Sequence, residues 1–146
     1  EMGGLQCLLC VALHAGTLVP GDISLGDVHK GLRELLQEES SGRVIVEAGC
    51  EGQAVALLQA PDPDLQALGA FLCARMAVDT RSHGAILSWG GVQRLAKGLS
   101  LSPSRSTARF DSATALRLLA ENPACHAFLC EGPVLRAVAE ACGDSK

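Results

Sequence analysis

The residue types that could do chemistry are few. Cys7 and Cys10 form "CLLC", the CxxC spacing of zinc and dithiol redox sites. A zinc site needs a second ligand pair, and a redox motif follows a strand. Neither context is present, and the intervening Leu8 and Leu9 predict a buried helix, so the pair is expected to be core packing. His14, His29, His83 and His126 share no metal-ligand spacing, and Cys125 and His126 are adjacent, so on a helix they face different ways. No nucleophile is brought to a base. No metal, cofactor or catalytic site is expected, and the chain is not expected to be an enzyme. Asp62 and Asp64 look like paired carboxylates, but they stand at the start of an apolar-periodic run. They predict a helix start, with Asp62 as N-cap, Pro63 first in the helix and Asp64 facing the positive dipole end. "LSLSPSRSTARF" holds Ser102–Pro103 near Arg105 and Arg109. Phosphorylation there would add about two negative charges beside the arginines; the plainer reading is a polar loop. Trp89, the single tryptophan, either packs between short helices or stands exposed as a partner anchor, a role in which Trp is enriched.

The elements that position such residues follow from composition. The 146 residues fit one domain, and 48% hydrophobic against 19% charged residues argues against disorder. Aromatics are 3%, with no tyrosine, so the core is built from Leu, Ala, Val and Cys in closely packed helices. A net charge of −4 argues against a nucleic-acid partner. No run of about 18 apolar residues exists, so no membrane span is expected. "LQCLLCVAL" lacks a basic lead and a cleavage site, so it is not read as a signal peptide. Of the seven cysteines, Cys7, Cys10, Cys73, Cys130 and Cys142 sit in apolar runs. They are expected to be reduced core residues in an intracellular, cytoplasmic setting, without disulfides.

Glycines punctuate the helical pattern at regular intervals. Gly3 to Gly49 is 46 residues, Gly49 to Gly90 is 41 and Gly90 to Gly132 is 42. Each glycine costs about 1 kcal/mol inside a helix, so each is expected at a corner, in the left-handed conformation that stops a helix. A second landmark recurs in "LRELLQEE", "LCARMAVD" and "LRLLAEN". From Leu35, Met76 and Leu119 the next glycine lies 14, 14 and 13 residues on. The distances from the preceding glycine vary, at 32, 27 and 29, so insertions fall in one loop per unit. Each unit then has a short helix, a glycine corner, a second helix and a long third helix. In the second unit Leu65, Leu68, Leu72 and Met76 form the buried stripe of that third helix. The next is expected to run from near Ser104 to Asn122, before Pro123.

"LLQAPDPDLQALGAFLCARMAVDTRSHGAILSWGGVQRLAKGL" resembles an armadillo repeat. The resemblance lies in a short helix ending in "xxGG", a "GGxxxLxxLL" second helix and a long third helix after a "DPxLQ" turn. It covers Arg43 to Leu99 best and is looser from Ser100 to Cys142. The first unit departs most, with the long loop "HAGTLVPGDISLGD" and Gly31 in its third helix. The resemblance implies an all-α, right-handed armadillo-type solenoid of three to four repeats in one domain over 1–146. The units fall roughly at 1–40 (partial), 41–79, 80–122 and 123–146 (partial). Both ends are expected to cut through a repeat of a longer array, leaving "GGLQCLLCVAL" as an apolar face prone to self-association.

Armadillo third helices line a concave groove that holds peptides, so the resemblance implies a protein-binding adaptor or scaffold. Small enzyme and structural spacer are the alternatives. In relatives of the importin-α type the third helix carries a Trp and, four residues on, an Asn. By register those positions are Lys30 and Glu34, Phe71 and Arg75, then Thr114 and Leu118. No Asn is present, so nuclear-localisation-signal binding is not implied. Phe71 and Arg75 are expected to point into the groove as an apolar anchor and a cation, and the partner to be an extended or helical peptide with acidic and apolar residues. Trp89 stays a possible second contact.

Overall fold

The computed structural model describes residues 25–37, 42–47, 49–60, 63–100 and 106–143. "GGLQCLLCVAL", Cys7, Cys10, His14, Asp62 and Ser102 lie outside them. The described residues are helical, with no strand among them. The helices are α1 (Leu25–Leu35), α2 (Arg43–Glu47), α3 (Glu51–Leu57), α4 (Pro63–Met76), α5 (His83–Ser88), α6 (Gly91–Gly98), α7 (Ser106–Ala120), α8 (His126–Leu129) and α9 (Gly132–Gly143). The order short, medium, long runs through α2–α3–α4 and α5–α6–α7. Short and medium then recur as α8 and α9.

The corners between short and medium helices obey the glycine argument twice. Gly49 has φ +70 and Gly90 has φ +72, and their amides close back on the Val46 and Leu87 carbonyls at 3.0 and 3.1 Å. The third corner departs from expectation. Gly132 is the first residue of α9, and no other described residue has positive φ. Helix α8 is four residues long, and its C-cap, Cys130, turns at φ −85 and ψ 1, with its N–H on the His126 carbonyl. A helix one turn long is closed by that bond without a left-handed residue.

The long helix α4 is central, packing against α1, α2, α3 and α7. Pro63 opens it, as the sequence predicts, and Leu68, Leu72 and Met76 are fully buried while Leu65 is half-buried. Gly69 lets α3 approach closely, because a Cβ there would lie 2.9 Å from the Leu57 Cβ and the Leu58 N. Helix α7 buries one stripe, Ala108, Asp111, Ser112, Ala115, Leu116 and Leu119, and leaves Phe110 open at 71% exposure. Helix α6 packs on α7 on one side and on α9 on the other.

The joints between units recur in atomic detail. Asp79 caps a 3-10 turn (Thr80–Ser82) by accepting the Arg81 N–H at 2.9 Å, and Asn122 caps the turn Pro123–Cys125 by accepting the Ala124 N–H at 3.0 Å. His83 Nε2 then bonds the Ala77 carbonyl at 2.7 Å, and His126 Nε2 the Ala120 carbonyl at 2.8 Å. The two sets are 43 residues apart. Two of these residues also tie neighbouring joints together, since the Asn122 amide donates to His83 Nδ1 at 2.9 Å. Bonds from the Arg81 side chain and backbone hold the Asp79 carboxyl below its ordinary range.

Two expectations about cysteines need correction. Cys50, Cys73 and Cys125 are buried, but Cys130 and Cys142 are exposed. Cys130 is the C-cap of the short α8, and Cys142 lies in the last turn of α9, which packs on α6 alone among strongly contacting elements. Burial pushes the Cys73 thiol up to about 12, against the pull of Arg94, so it is held neutral and unreactive at physiological pH.

Candidate functional site

The six groove positions lie on α1, α4 and α7, and α4 lies against both others. Lys30 and Glu34 are exposed on α1. Thr114 is half-buried and donates its hydroxyl to the Phe110 carbonyl at 2.9 Å. Leu118 is half-buried and packs against the core.

Phe71 corrects the reading of an open aromatic anchor: it is 4% exposed and belongs to the core. The reason is the position of α4. A helix flanked by long helices on both sides and backed by α3 is buried nearly all round, so leaving the Leu72–Met76 stripe does not bring a residue to solvent. What covers the ring is cationic. Arg33 Cζ lies 4.3 Å from the ring centroid and Arg75 Cζ 5.2 Å, both within cation–π range. Arg33 also reaches past α4 to Asp111 on α7, with Nη2 to Oδ2 at 3.2 Å. Three long helices are thus joined over one ring. Arg75 is half-buried, and its Nε is buried without a hydrogen-bond partner. Sequence register selected Arg75 but missed Arg33 and Asp111, which lie one step round from the positions taken as groove-facing.

Asp111 is 8% exposed. Burial raises its carboxyl above the ordinary range, and Arg33 and Arg75 only partly oppose this. A carboxyl raised by folding contributes stability that is full below its unfolded pKa and is lost as pH rises through the folded one. Asp111→Asn removes that loss. Relative to the parent, the variant is expected to gain stability as pH rises above about 4, the ordinary carboxylate value. Thermal melts of both proteins over that rise in pH check it; a parent advantage that grows with pH would contradict it.

Beside Leu118 a cavity of about 560 Å³ opens among Val78, His83, Glu121, Asn122 and Pro123. Val78 is 42% exposed, so the cavity has an apolar lip at the end of the α4–α7 row. Trp89, the second-contact candidate, is both packed and exposed. Its indole lies over Gly52, where a Cβ would come within 2.9 Å of the ring, and it remains 54% exposed.

Among the described residues no three His, Cys, Asp or Glu side chains are grouped to hold a metal. Among the same residues no helix is long and apolar enough to cross a membrane. Fold and site together define a chain whose described residues are all-helical and whose long helices share a cationic, aromatic seam and a cavity of mixed polar and apolar lining. Compared with protein-family models, curated proteins and solved structures, the chain matches none of the three.

Proposed function

We propose that the chain is an armadillo-type solenoid segment that binds another protein along the row α1–α4–α7, as an intracellular adaptor rather than an enzyme. The observation carrying this reading is the recurrence of short, medium and long helices, with matched caps at Asp79 and Asn122. The partner is a peptide segment with an apolar residue for the Leu118 cavity and an acidic residue for the half-buried Arg75. The burial of Cys50, Cys73 and Cys125 as free thiols supports a reducing compartment.

The test is capture of partners with the whole chain, followed by peptide mapping and affinity measurement. Arg75→Gln and Leu118→Ala are expected to weaken the mapped peptide at least tenfold, with Trp89→Ala unchanged. Arg75 is half-buried and Arg33 still covers the Phe71 ring without it, so its change should lower the melting temperature by no more than a few degrees. The reverse pattern places the partner on the Trp89 side, equal affinity in all three variants overturns both faces, and capture of no partner at all leaves only a spacer.

A further inference from the structure

A second cavity, of about 470 Å³, opens between α4, α6, α7 and the segment after α3. It shares no lining residue with the Leu118 cavity. Its wall carries Arg94 and Lys97, three apart on α6 and so on one face. Among the described residues no carboxylate lines it, although the chain has more acidic than basic residues. Arg94 is steadied by one long bond, from Nη1 to the Val55 carbonyl at 3.4 Å. Lys97 is exposed and forms no ion pair with a described residue.

The third element is Ser112. It lines the same cavity, is 1% exposed, and its Oγ has no hydrogen-bond partner. Buried hydroxyls are normally bonded, and an unbonded one calls for an explanation. Gly98 opposite has no side chain, and a Cβ there would overlap the Ser112 Oγ. The wall therefore carries two cations and an unsatisfied hydroxyl beside the amides of Gln59 and Gln66, with Leu58 and Ala70 supplying an apolar side.

We propose that this cavity binds a small organic phosphate. Arg94 and Lys97 match the two charges of a phosphomonoester near neutral pH, and the Ser112 hydroxyl donates to a phosphate oxygen. The cavity falls in the range of small-molecule pockets, about 300–1,000 Å³, and exceeds what a bare phosphate fills. The organic part lies on Leu58 and Ala70. This site is independent of the peptide groove and stands or falls apart from it.

The test is calorimetric titration of the whole chain with O-phosphoserine and glucose 6-phosphate, with serine and glucose as controls. A phosphoserine flanked by two alanines on each side is the peptide-borne arm. The free phosphates are expected to bind and their controls not to, with affinity falling as salt is raised. Lys97→Gln is expected to weaken binding at least tenfold and Ser112→Ala several-fold. Both variants should keep the parent's circular dichroism and melting temperature, since Lys97 is exposed and the Ser112 hydroxyl leaves no partner behind. Absence of binding at millimolar concentrations would overturn the proposal. So would binding that Lys97→Gln leaves unchanged, and binding of the peptide alone would reassign the site to protein-borne phosphate.

Discussion

Phe71→Ala is expected to destabilise the chain by about 3–5 kcal/mol, the usual cost of emptying a buried phenylalanine site. The ring is 4% exposed and sits where α1, α4 and α7 meet. Its loss leaves a cavity that three packed helices cannot close without breaking contacts elsewhere. It also removes the surface on which Arg33 and Arg75 lie, each cation–π contact being worth about 0.5–2 kcal/mol. Those guanidinium groups can regain water, so this second loss is only partly additive. For a chain of this size the melting temperature should fall by roughly 10 °C or more. Phe71→Leu keeps most of the volume and should cost less than half as much. Urea denaturation with an unchanged slope would show that the native state, not the unfolded one, was altered. If Phe71→Ala melts like the parent while weakening a partner, the ring is a groove anchor and its burial is not what matters.

How far the sequence could be read depends on how local the governing physics is. The buried stripe Leu68, Leu72 and Met76 and the helix start at Pro63 follow from period and capping chemistry, and the structure has them. The corners at Gly49 and Gly90 follow from the steric cost of positive φ. The third corner is not legible in this way, because a glycine spacing of 42 does not distinguish a left-handed turn from a helix start, and Gly132 starts a helix. The burial of Phe71 is not legible in the sequence, because helical period gives the direction of a side chain but not what lies there. Only the packing of α4 between α1 and α7 decides that. The same limit hid Arg33 and Asp111, which are 78 residues apart and meet across an intervening helix. One signal was available and was passed over. "DTRSH" and "NPACH" share an N-cap residue and a histidine four residues on, at the 43-residue period. Metal-ligand spacing is not what these histidines obey, and their structural use as bridges to Ala77 and Ala120 follows the repeat.

Gly42→Ala is the second change with a large expected effect, and its sign can be argued from opposing magnitudes. In general a Gly→Ala change stabilises by about 0.4–1 kcal/mol through the unfolded chain, where the native backbone accepts a side chain. Gly42 has no positive φ, so its backbone conformation is not the obstacle. Space is the obstacle. Gly42 is buried, and a Cβ there would overlap the Arg75 carbonyl and lie 2.8 Å from the Met76 N. These are backbone atoms at the end of α4, and that segment is pinned. The Ala77 N–H is on the Cys73 carbonyl at 2.9 Å, and the Met76 carbonyl accepts the Asp79 N–H at 3.0 Å and the Ser82 hydroxyl at 2.6 Å. The joint cannot move aside without losing those bonds, so α2 must. Overpacking of this kind costs about 1–3 kcal/mol, and backbone contact puts Gly42→Ala at the upper end, well above the entropic gain. Gly31→Ala in α1 is the internal control. No described residue lies within 4 Å of a Cβ there, so against the described residues helix propensity alone acts, and the variant should gain about 0.5–1 kcal/mol. Paired thermal melts should therefore move in opposite directions. A Gly42→Ala protein as stable as the parent would mean that α2 does not seat against the end of α4, and the joint between the first two units would have to be drawn differently.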